Sequence, residues 1–310
     1  MKTNIIRYWQ ARTDKVRHCS ETVFRRPGVY FRRFSFPLVL SCFFLMIVVH
    51  GRGQGSTDSP PVRNQFTIGL GASYIKTLDL LYSPIMYKSL RTDLHLGYLS
   101  KSKNGVFSTD LNVFLGALKP NSGGAVIVYA SETAIDGVET TEDMRLEMSQ
   151  IGFNLQLGYL HKLQKLQSPS KAFYLGASLE ESLTYTPGFV NVGVINYGSV
   201  NARARFEYLL KNGKPVIFDI TFPLVSVVTR LPYNQSPGEP GQSGLGAFFT
   251  GNNQVETLNH FQNARFSIQY PFLIKKRSAF NIRYEASWMH YYNPRHLTQA
   301  GNQLSLGFTF

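Results

Sequence analysis

The sequence predicts an all-β chain whose antiparallel strands, about ten of them joined up and down, close into one barrel that crosses a membrane. Three observations predict it. From residue 64 onward, apolar and polar residues alternate in about ten separate segments, a period of two that gives each strand two different faces. Each segment is near the roughly nine to eleven residues that a tilted strand needs to cross hydrocarbon. The connections are short and long by turns, as they are when the two ends of a barrel face opposite sides of a membrane.

The segments can be taken in order. The first sets Phe66, Ile68, Leu70, Ala72 and Tyr74 outward, with Thr67, Gly69, Gly71 and Ser73 between them. The second sets Leu90, Thr92, Leu94, Leu96 and Tyr98 against Arg91, Asp93, His95 and Gly97. The third sets Phe107, Thr109, Leu111, Val113 and Leu115 against Ser108, Asp110 and Asn112. The fourth has Ile151, Phe153, Leu155, Leu157 and Tyr159 outward, and the fifth Phe173, Leu175, Ala177 and Leu179, with Ser178 and Glu180 inward. In the sixth, Val200, Ala202, Ala204, Phe206 and Tyr208 oppose Asn201, Arg203, Arg205 and Glu207. In the seventh, Val216, Phe218, Ile220 and Phe222 oppose Asp219 and Thr221. The eighth alternates Ala264, Phe266, Ile268 and Tyr270 with Arg265, Ser267 and Gln269. The ninth alternates Phe280, Ile282, Tyr284, Ala286 and Trp288 with Asn281, Arg283 and Glu285. The last has Leu304, Leu306, Phe308 and Phe310 on one face and Gln303, Ser305, Gly307 and Thr309 on the other.

Residues 101–104 and 211–214 are tight connections, and each includes or adjoins an Asn-Gly pair, Asn104-Gly105 and Asn212-Gly213, a favoured hairpin turn. Residues 162–171 and 273–278 are compact, whereas 75–88, 119–146, 187–198, 229–257 and 291–301 are long. An even strand number brings the first strand beside the last, and their pairing removes the edges that hydrocarbon penalises. Short β-like runs at 124–131 and 189–196 leave twelve strands as the alternative count.

Aromatic residues give a check independent of loop length. The outward residue nearest the short-turn end is Phe66, Tyr98, Phe107, Tyr159, Phe173, Tyr208, Phe218, Tyr270 or Phe272, Phe280 and Phe310. Such a ring is expected at a membrane interface. Tyr74, Tyr185, Phe222, Phe261 and Trp288 form a looser set for the opposite rim. A soluble barrel or sandwich would have no reason to band its aromatics at one end.

The inward positions carry charge of both signs: Arg91, Asp93, His95, Asp110, Glu180, Arg203, Arg205, Glu207, Asp219, Arg265, Arg283 and Glu285. Side chains fill barrels of about eight strands, and water-filled channels appear at about 16 to 18. Ten strands therefore favour an interior salt-bridge network over an open pore with Arg203, Arg205, Arg265 and Arg283 as its lining. The inward glycines let the sheet curve and let neighbouring aromatics lie over them.

The front of the chain reads differently. Residues 34–49 are apolar and uncharged, follow Arg25, Arg26, Arg32 and Arg33, and precede Gly51, Gly53 and Gly55. The run is short for spanning about 30 Å of hydrocarbon, so a secretory signal cleaved near 51–55 is preferred to a retained helix. The expected organisation is a leader and signal over 1–55, a linker over 56–63 and the barrel over 64–310. The formal charge of +13 sits mostly in that leader. Residues 1–55 carry ten Lys/Arg and two Asp/Glu, and the remainder 22 and 17, or only +5. The charge thus gives no case for nucleic-acid binding. Both cysteines, Cys19 and Cys42, precede residue 55, so the barrel is expected without a disulfide or a cysteine metal site.

The sequence ends on Phe310 with an unbroken alternation behind it. This strand resembles the C-terminal targeting strand of bacterial outer-membrane β-barrels, with Leu304, Leu306, Phe308 and Phe310 as the residues that carry the likeness. The resemblance implies export to the outer membrane, insertion by the barrel-assembly machinery, and outer-membrane lipids as surroundings. Lysines in the short turns, among them Lys101, Lys103, Lys162, Lys165, Lys171, Lys211 and Lys214, suit the anionic headgroups of the inner leaflet. The second long loop is acidic (Glu132, Asp136, Glu139, Glu142, Asp143, Glu147).

No enzymatic constellation stands out. A barrel protease of the omptin type would need acidic and Asp-His pairs at the outer rim, but Asp93 and His95 fall mid-barrel. A lipid hydrolase would need a lipid-facing Ser and His, and no His-X-Ser occurs. No phosphate loop, dinucleotide fingerprint or metal-binding helix is present, and no cofactor is expected. Trp288, His290, Tyr291, Tyr292 and His296 are the candidate outer-loop ligand contacts, with Phe248 and Phe249 as possible companions; continuation of the interfacial belt is the preferred reading. His260, His290 and His296 would form a metal site only if three loop ends converged. The expected role is non-enzymatic, structural or surface-interacting through the long outer loops, with the extracellular ligand unidentified. The alternatives are a narrow channel for small, anionic solutes and an outer-membrane lipid hydrolase.

Overall fold

The computed structural model describes residues 63–123, 126–133, 139–146, 148–187, 193–232, 241, 247–249, 253–274 and 278–310. The expected leader and signal, and basic residues 275–277, lie outside these. Thirteen strands are described: β1 (Arg63–Asp79), β2 (Met86–Lys101), β3 (Gly105–Pro120), β4 (Val126–Thr133), β5 (Glu139–Leu146), β6 (Met148–Lys162), β7 (Lys171–Thr186), β8 (Gly193–Leu209), β9 (Pro215–Pro232), β10 (Asn253–Thr257), β11 (Phe261–Ile274), β12 (Ala279–Tyr291) and β13 (Leu297–Thr309).

Ten of these close into a barrel in the order β1-β2-β3-β6-β7-β8-β9-β11-β12-β13, and β13 returns to β1. Every pairing is antiparallel. The seam between β1 and β13 runs without a break from Thr67↔Thr309 to Asp79↔Leu297. Two backbone hydrogen bonds between Phe66 and Phe310, each 2.9 Å, extend it to the last residue. The count is ten, not twelve. The β-like run near 124–131 becomes the hairpin β4–β5, a separate two-stranded sheet. The run near 189–196 feeds the start of β8. β10 pairs with β9 from Thr229↔Asn253 to Val225↔Thr257 and has no partner in the ring beyond β9.

The outward faces are those read from the alternation. Phe66, Ile68, Leu70, Leu90, Leu94, Leu115, Ile151, Leu175, Ile220, Leu304 and Leu306 are all exposed on the outer wall. Exposed aliphatic side chains around a closed sheet, above a polar interior, are the arrangement hydrocarbon requires. The fold is a ten-stranded transmembrane β-barrel of the outer-membrane type. The aromatic girdle at the short-turn end is continuous over long arcs. One chain of ring contacts runs Phe107, Tyr98, Phe66, Phe310, Phe308, Phe280, Phe272 with centroid spacings of 4.9 to 6.4 Å. A second links Phe173, Phe206, Phe218 and Phe266.

Two turn readings part company. In the 211–213 turn, Gly213 adopts φ 76° and its N–H donates to the Leu210 carbonyl, the left-handed position such a hairpin needs. Gly105 instead opens β3 and leaves Lys103 and Asn104 as the turn, with the Ser102 N–H donating to the Gly105 carbonyl at 2.9 Å. Lys101 is likewise not a turn residue, because it ends β2 and its ammonium pairs with Glu207 at 2.5 Å.

β9 changes phase part-way. A register shift opposite Val200/Asn201 leaves both Leu224 and Val225 facing outward. It sits beside Pro223, which has no N–H to give the ladder. Before the shift the odd residues Asp219 and Thr221 face inward; after it the even residues Ser226, Val228 and Arg230 do.

Gly152 marks a close approach. A Cβ there would lie 2.3 Å from the Leu183 carbonyl oxygen and 2.5 Å from Cζ of Phe114. The Gly152→Ala variant should lose about 1–3 kcal/mol, the range for overpacking, read as a lower urea midpoint of the detergent-folded protein. Phe114→Ala in the same chain should recover part of the loss, and strict additivity of the two losses would show that the ring is not what Gly152 accommodates.

Candidate functional site

The lumen is built in layers. At the short-turn end, Val106, Leu160 and Tyr174 are buried together with Leu99 and Ala172 packed against them. At the outer end, two apolar clusters line the interior: Tyr87, Leu118 and Met148 on one side, and Tyr197, Val228, Phe261, Met289, Tyr291 and Leu297 on the other. Most of the charged residues lie between, while Lys101, Arg205 and Glu207 stand level with the short-turn cluster, Lys101 lying over the Tyr174 ring at 5.5 Å. A buried ion is costly unless it is paired and hydrogen-bonded.

Most are so paired. Glu180 accepts from Asn154 (2.5 Å), Asn201 (2.7 Å) and Tyr197 (3.1 Å), and forms an ion pair with Arg265. Asp219 holds both Arg203 (3.2 Å) and Arg205 (3.0 Å), and Arg203 also donates to Ser108 Oγ at 2.8 Å. His95 meets Asp110 at 3.2 Å, and Arg283 meets Glu285 at 2.6 Å. Glu207 takes Lys101. Four partners on one carboxylate satisfy nearly all its acceptor sites, and each bond to an ion is stronger than a neutral one.

Arg91 and Asp93 are the exceptions. They stand two apart on β2 but form no ion pair with each other or with any described residue. The Arg91 guanidinium lies over the Phe114 ring at 4.4 Å, a cation–π contact, and Asp93 takes a 3.5 Å bond from Asn112. Both line a partly open cavity of about 140 Å³ inside the barrel, as do His95, Asp110, Asn154 and Arg265. Arg91 Nε and Asn112 Oδ1 are buried there with no protein hydrogen-bond partner.

Two expected rim residues belong to the lumen instead. Phe261 and Tyr291 are each 1 % exposed and pack edge to face at 5.7 Å inside the barrel. Strand parity already required this. Phe261 shares its face with Arg265, and Tyr291 shares its face with Arg283 and Glu285. Their aromatic character suggested a rim position that their position in the strand does not allow. Tyr291 is therefore not an outer-loop ligand contact. Trp288, Tyr292 and His296 are exposed and His290 is half-buried. They form a ring cluster, with His290 stacked on Trp288 at 5.9 Å and 4.4 Å from Tyr292, and Tyr292 4.8 Å from His296. Tyr292 and His296 also line a cleft of about 530 Å³ with Leu80, Tyr82 and Arg295. Phe248 is buried and Phe249 exposed. The three rim histidines do not converge. His290 and His296 are 5.9 Å apart, whereas His260 pairs with Glu256 at 3.1 Å. Among the described residues no group of three or more metal-binding side chains is assembled.

The alternation did not single out the latch at the outer mouth. Arg230, inward only because of the β9 phase change, forms an ion pair with Asp79 at the end of β1 and donates to the carbonyls of Asn293 and Arg295 beyond β12. Burial holds the Asp79 carboxyl above its ordinary range, a shift that Arg230 only partly offsets. Glu181 is a second surprise. It faces outward, accepts a 2.6 Å hydrogen bond from Asn196 Nδ2 and lies over Gly198.

No known protein family matches the sequence, and no curated protein does. Among solved structures, the chain is similar to the outer membrane protease OmpT of Escherichia coli, at 9 % identity and a TM-score of 0.46 over 82 % of this chain and 99 % of that one. It is also similar to the beta domain of the Bordetella autotransporter BrkA (11 %, TM-score 0.39, 80 % and 99 %) and the translocator domain of the autotransporter NalP of Neisseria meningitidis (11 %, 0.33, 88 % and 96 %). At such values nothing those proteins do is carried to this chain.

Glu180 is the hub on which a test should fall. Glu180→Ala leaves Arg265 buried without its carboxylate and should cost about 3–5 kcal/mol, measured by urea unfolding in detergent. Lys165→Ala, on an exposed turn, should stay within about 0.5 kcal/mol. Equal midpoints for the two variants would deny the network a structural role.

Proposed function

We propose that this chain resides in an outer membrane as a non-enzymatic barrel with a closed lumen and acts through its outer loops, in a structural or surface-interaction role. The layering of the lumen carries this reading. Ten strands enclose a space narrow enough for side chains to fill, and here apolar clusters lie at both ends of a paired polar middle. The interior charge also balances. Arg91, Arg203, Arg205, Arg265, Arg283 and Lys101 face Asp93, Asp110, Glu180, Glu207, Asp219 and Glu285, six against six. A passage that selected anions would leave a surplus of positive charge, and the four arginines that would line it are each held by a carboxylate. The exposed cluster of Trp288, His290, Tyr292 and His296 is the surface best suited to contact a ligand.

The purified protein in a planar bilayer should give no steady current. Removing the outer apolar layer in the Phe261→Ala/Tyr291→Ala variant should raise the frequency of open events. A stable, anion-selective current from the unaltered protein, lost in Arg203→Ala, would reverse the reading in favour of a channel. Ester hydrolysis in detergent would place it among lipid hydrolases.

A further inference from the structure

The outer wall near the long loops carries a row of cations set by strand register. Lys76 on β1 is the direct partner of Lys88 on β2, and Lys88 is the direct partner of Lys119 on β3. All three have outward parity; Lys76 and Lys119 are exposed and Lys88 half-buried. Like charges directly opposite one another on neighbouring strands repel. None of the three forms an ion pair among the described residues, and the one polar contact of Lys88 is a 3.5 Å bond to the Asn121 carbonyl. An anion seated on such a row would relieve its repulsion.

Its height bears on which anion is within reach. Lys76 lies ten residues along β1 from Phe66 of the girdle, and Lys88 ten along β2 from Tyr98. At about 3.3 Å per residue and a tilt of about 40°, that is roughly 25 Å, the height of the apolar band. The lysines therefore stand at headgroup level, just beyond Tyr74 and Leu90. The row continues in register away from them through Ala300 to Trp288. Trp288 lies eight residues along β12 from Phe280 and so about 5 Å deeper, while His290 and Tyr292, ten and twelve residues from Phe280, reach the level of the lysines. Five adjacent strands thus present three ammonium groups and then aromatic faces. The ammonium groups span about 10 Å, from an interstrand spacing of about 4.8 Å. That is more charge than a single phosphate uses, and aromatic rings at an interface suit a sugar body.

We propose that the outer wall of β12, β13, β1, β2 and β3 binds a multiply phosphorylated saccharide-lipid of the outer leaflet, with Lys76, Lys88 and Lys119 on its phosphates. The site rests on placing the barrel in an outer membrane but not on the closed lumen.

Native mass spectrometry of the detergent-folded protein mixed with bisphosphorylated lipid A tests it, with phosphatidylglycerol as the single-phosphate competitor. The protein should retain lipid A in preference to phosphatidylglycerol. The Lys76→Gln/Lys88→Gln/Lys119→Gln variant should retain at least about tenfold less, since each basic residue at an anionic surface is worth roughly a factor of five. A control with Lys165→Gln and Lys211→Gln in the short turns should match the unaltered chain. Heat-modified migration on a gel checks that each variant folds, and Lys88→Gln alone should show a smaller loss if the triple variant does not. Equal retention by the triple variant and the unaltered protein would overturn the proposal. So would equal competition by phosphatidylglycerol, or retention that appears only once the acidic Glu139, Glu142 and Asp143 are neutralised, which would make that loop the partner of the lysines. Conductance is expected to be the same in all of these variants, so failure here is distinct from failure of the closed-lumen reading.

Discussion

Hydrocarbon offers no partner to a backbone N–H or C=O, so a sheet that crosses it can have no edge. This constraint governs the rest of the barrel. The pairing of β1 with β13 meets it, and the Phe66–Phe310 hydrogen bonds carry that pairing to the end of the chain. The last strand therefore closes the sheet. Leu304, Leu306 and Phe308 can face lipid only because Ser305 and Gly307 face inward in register with Gly71 and Gly69. A slip of one residue would put the whole set on the wrong side.

Closure then creates a second problem, an interior too polar to be a hydrocarbon core, in which charged groups are buried. The chain answers it with layers. Apolar clusters occupy both ends, and most of the ions are arranged so that few carboxylates or guanidiniums stand alone. Buried ion pairs are costly to assemble and more costly to break, which suits a structure that need form only once. The Arg230–Asp79 pair extends the same chemistry to the mouth, tying β9 to β1 and to the connection after β12.

Much of this was legible in the sequence, because a period of two acts on every residue of a strand. The ten strands, the outward faces and the short-turn girdle all follow from it, and so do the inward charges. What it could not supply was the point where the period breaks. Pro223 shifts β9 by one residue, so the inward positions of Val228 and Arg230 run against the alternation that ends at Phe222. The turn falls at Lys103-Asn104, one residue before the Asn-Gly pair that usually marks such a turn, because Gly105 packs closely against the Leu160 backbone. Phe261 and Tyr291 show the opposite: strand parity sets them inward, although residue type alone points to a rim. Which carboxylate holds which arginine depends on contacts between distant strands, such as Glu180 with Arg265, and pattern within a segment contains no such information.

The central claim is that the middle of the lumen is sealed from both aqueous sides. Ser178 faces inward there and is 3 % exposed. With Cys19 and Cys42 replaced by serine, a Ser178→Cys chain folded into vesicles can be exposed to a small charged thiol reagent from either side. The account predicts no labelling while the barrel is folded and complete labelling once it is unfolded in urea. Rapid labelling of the folded protein from either side would contradict it.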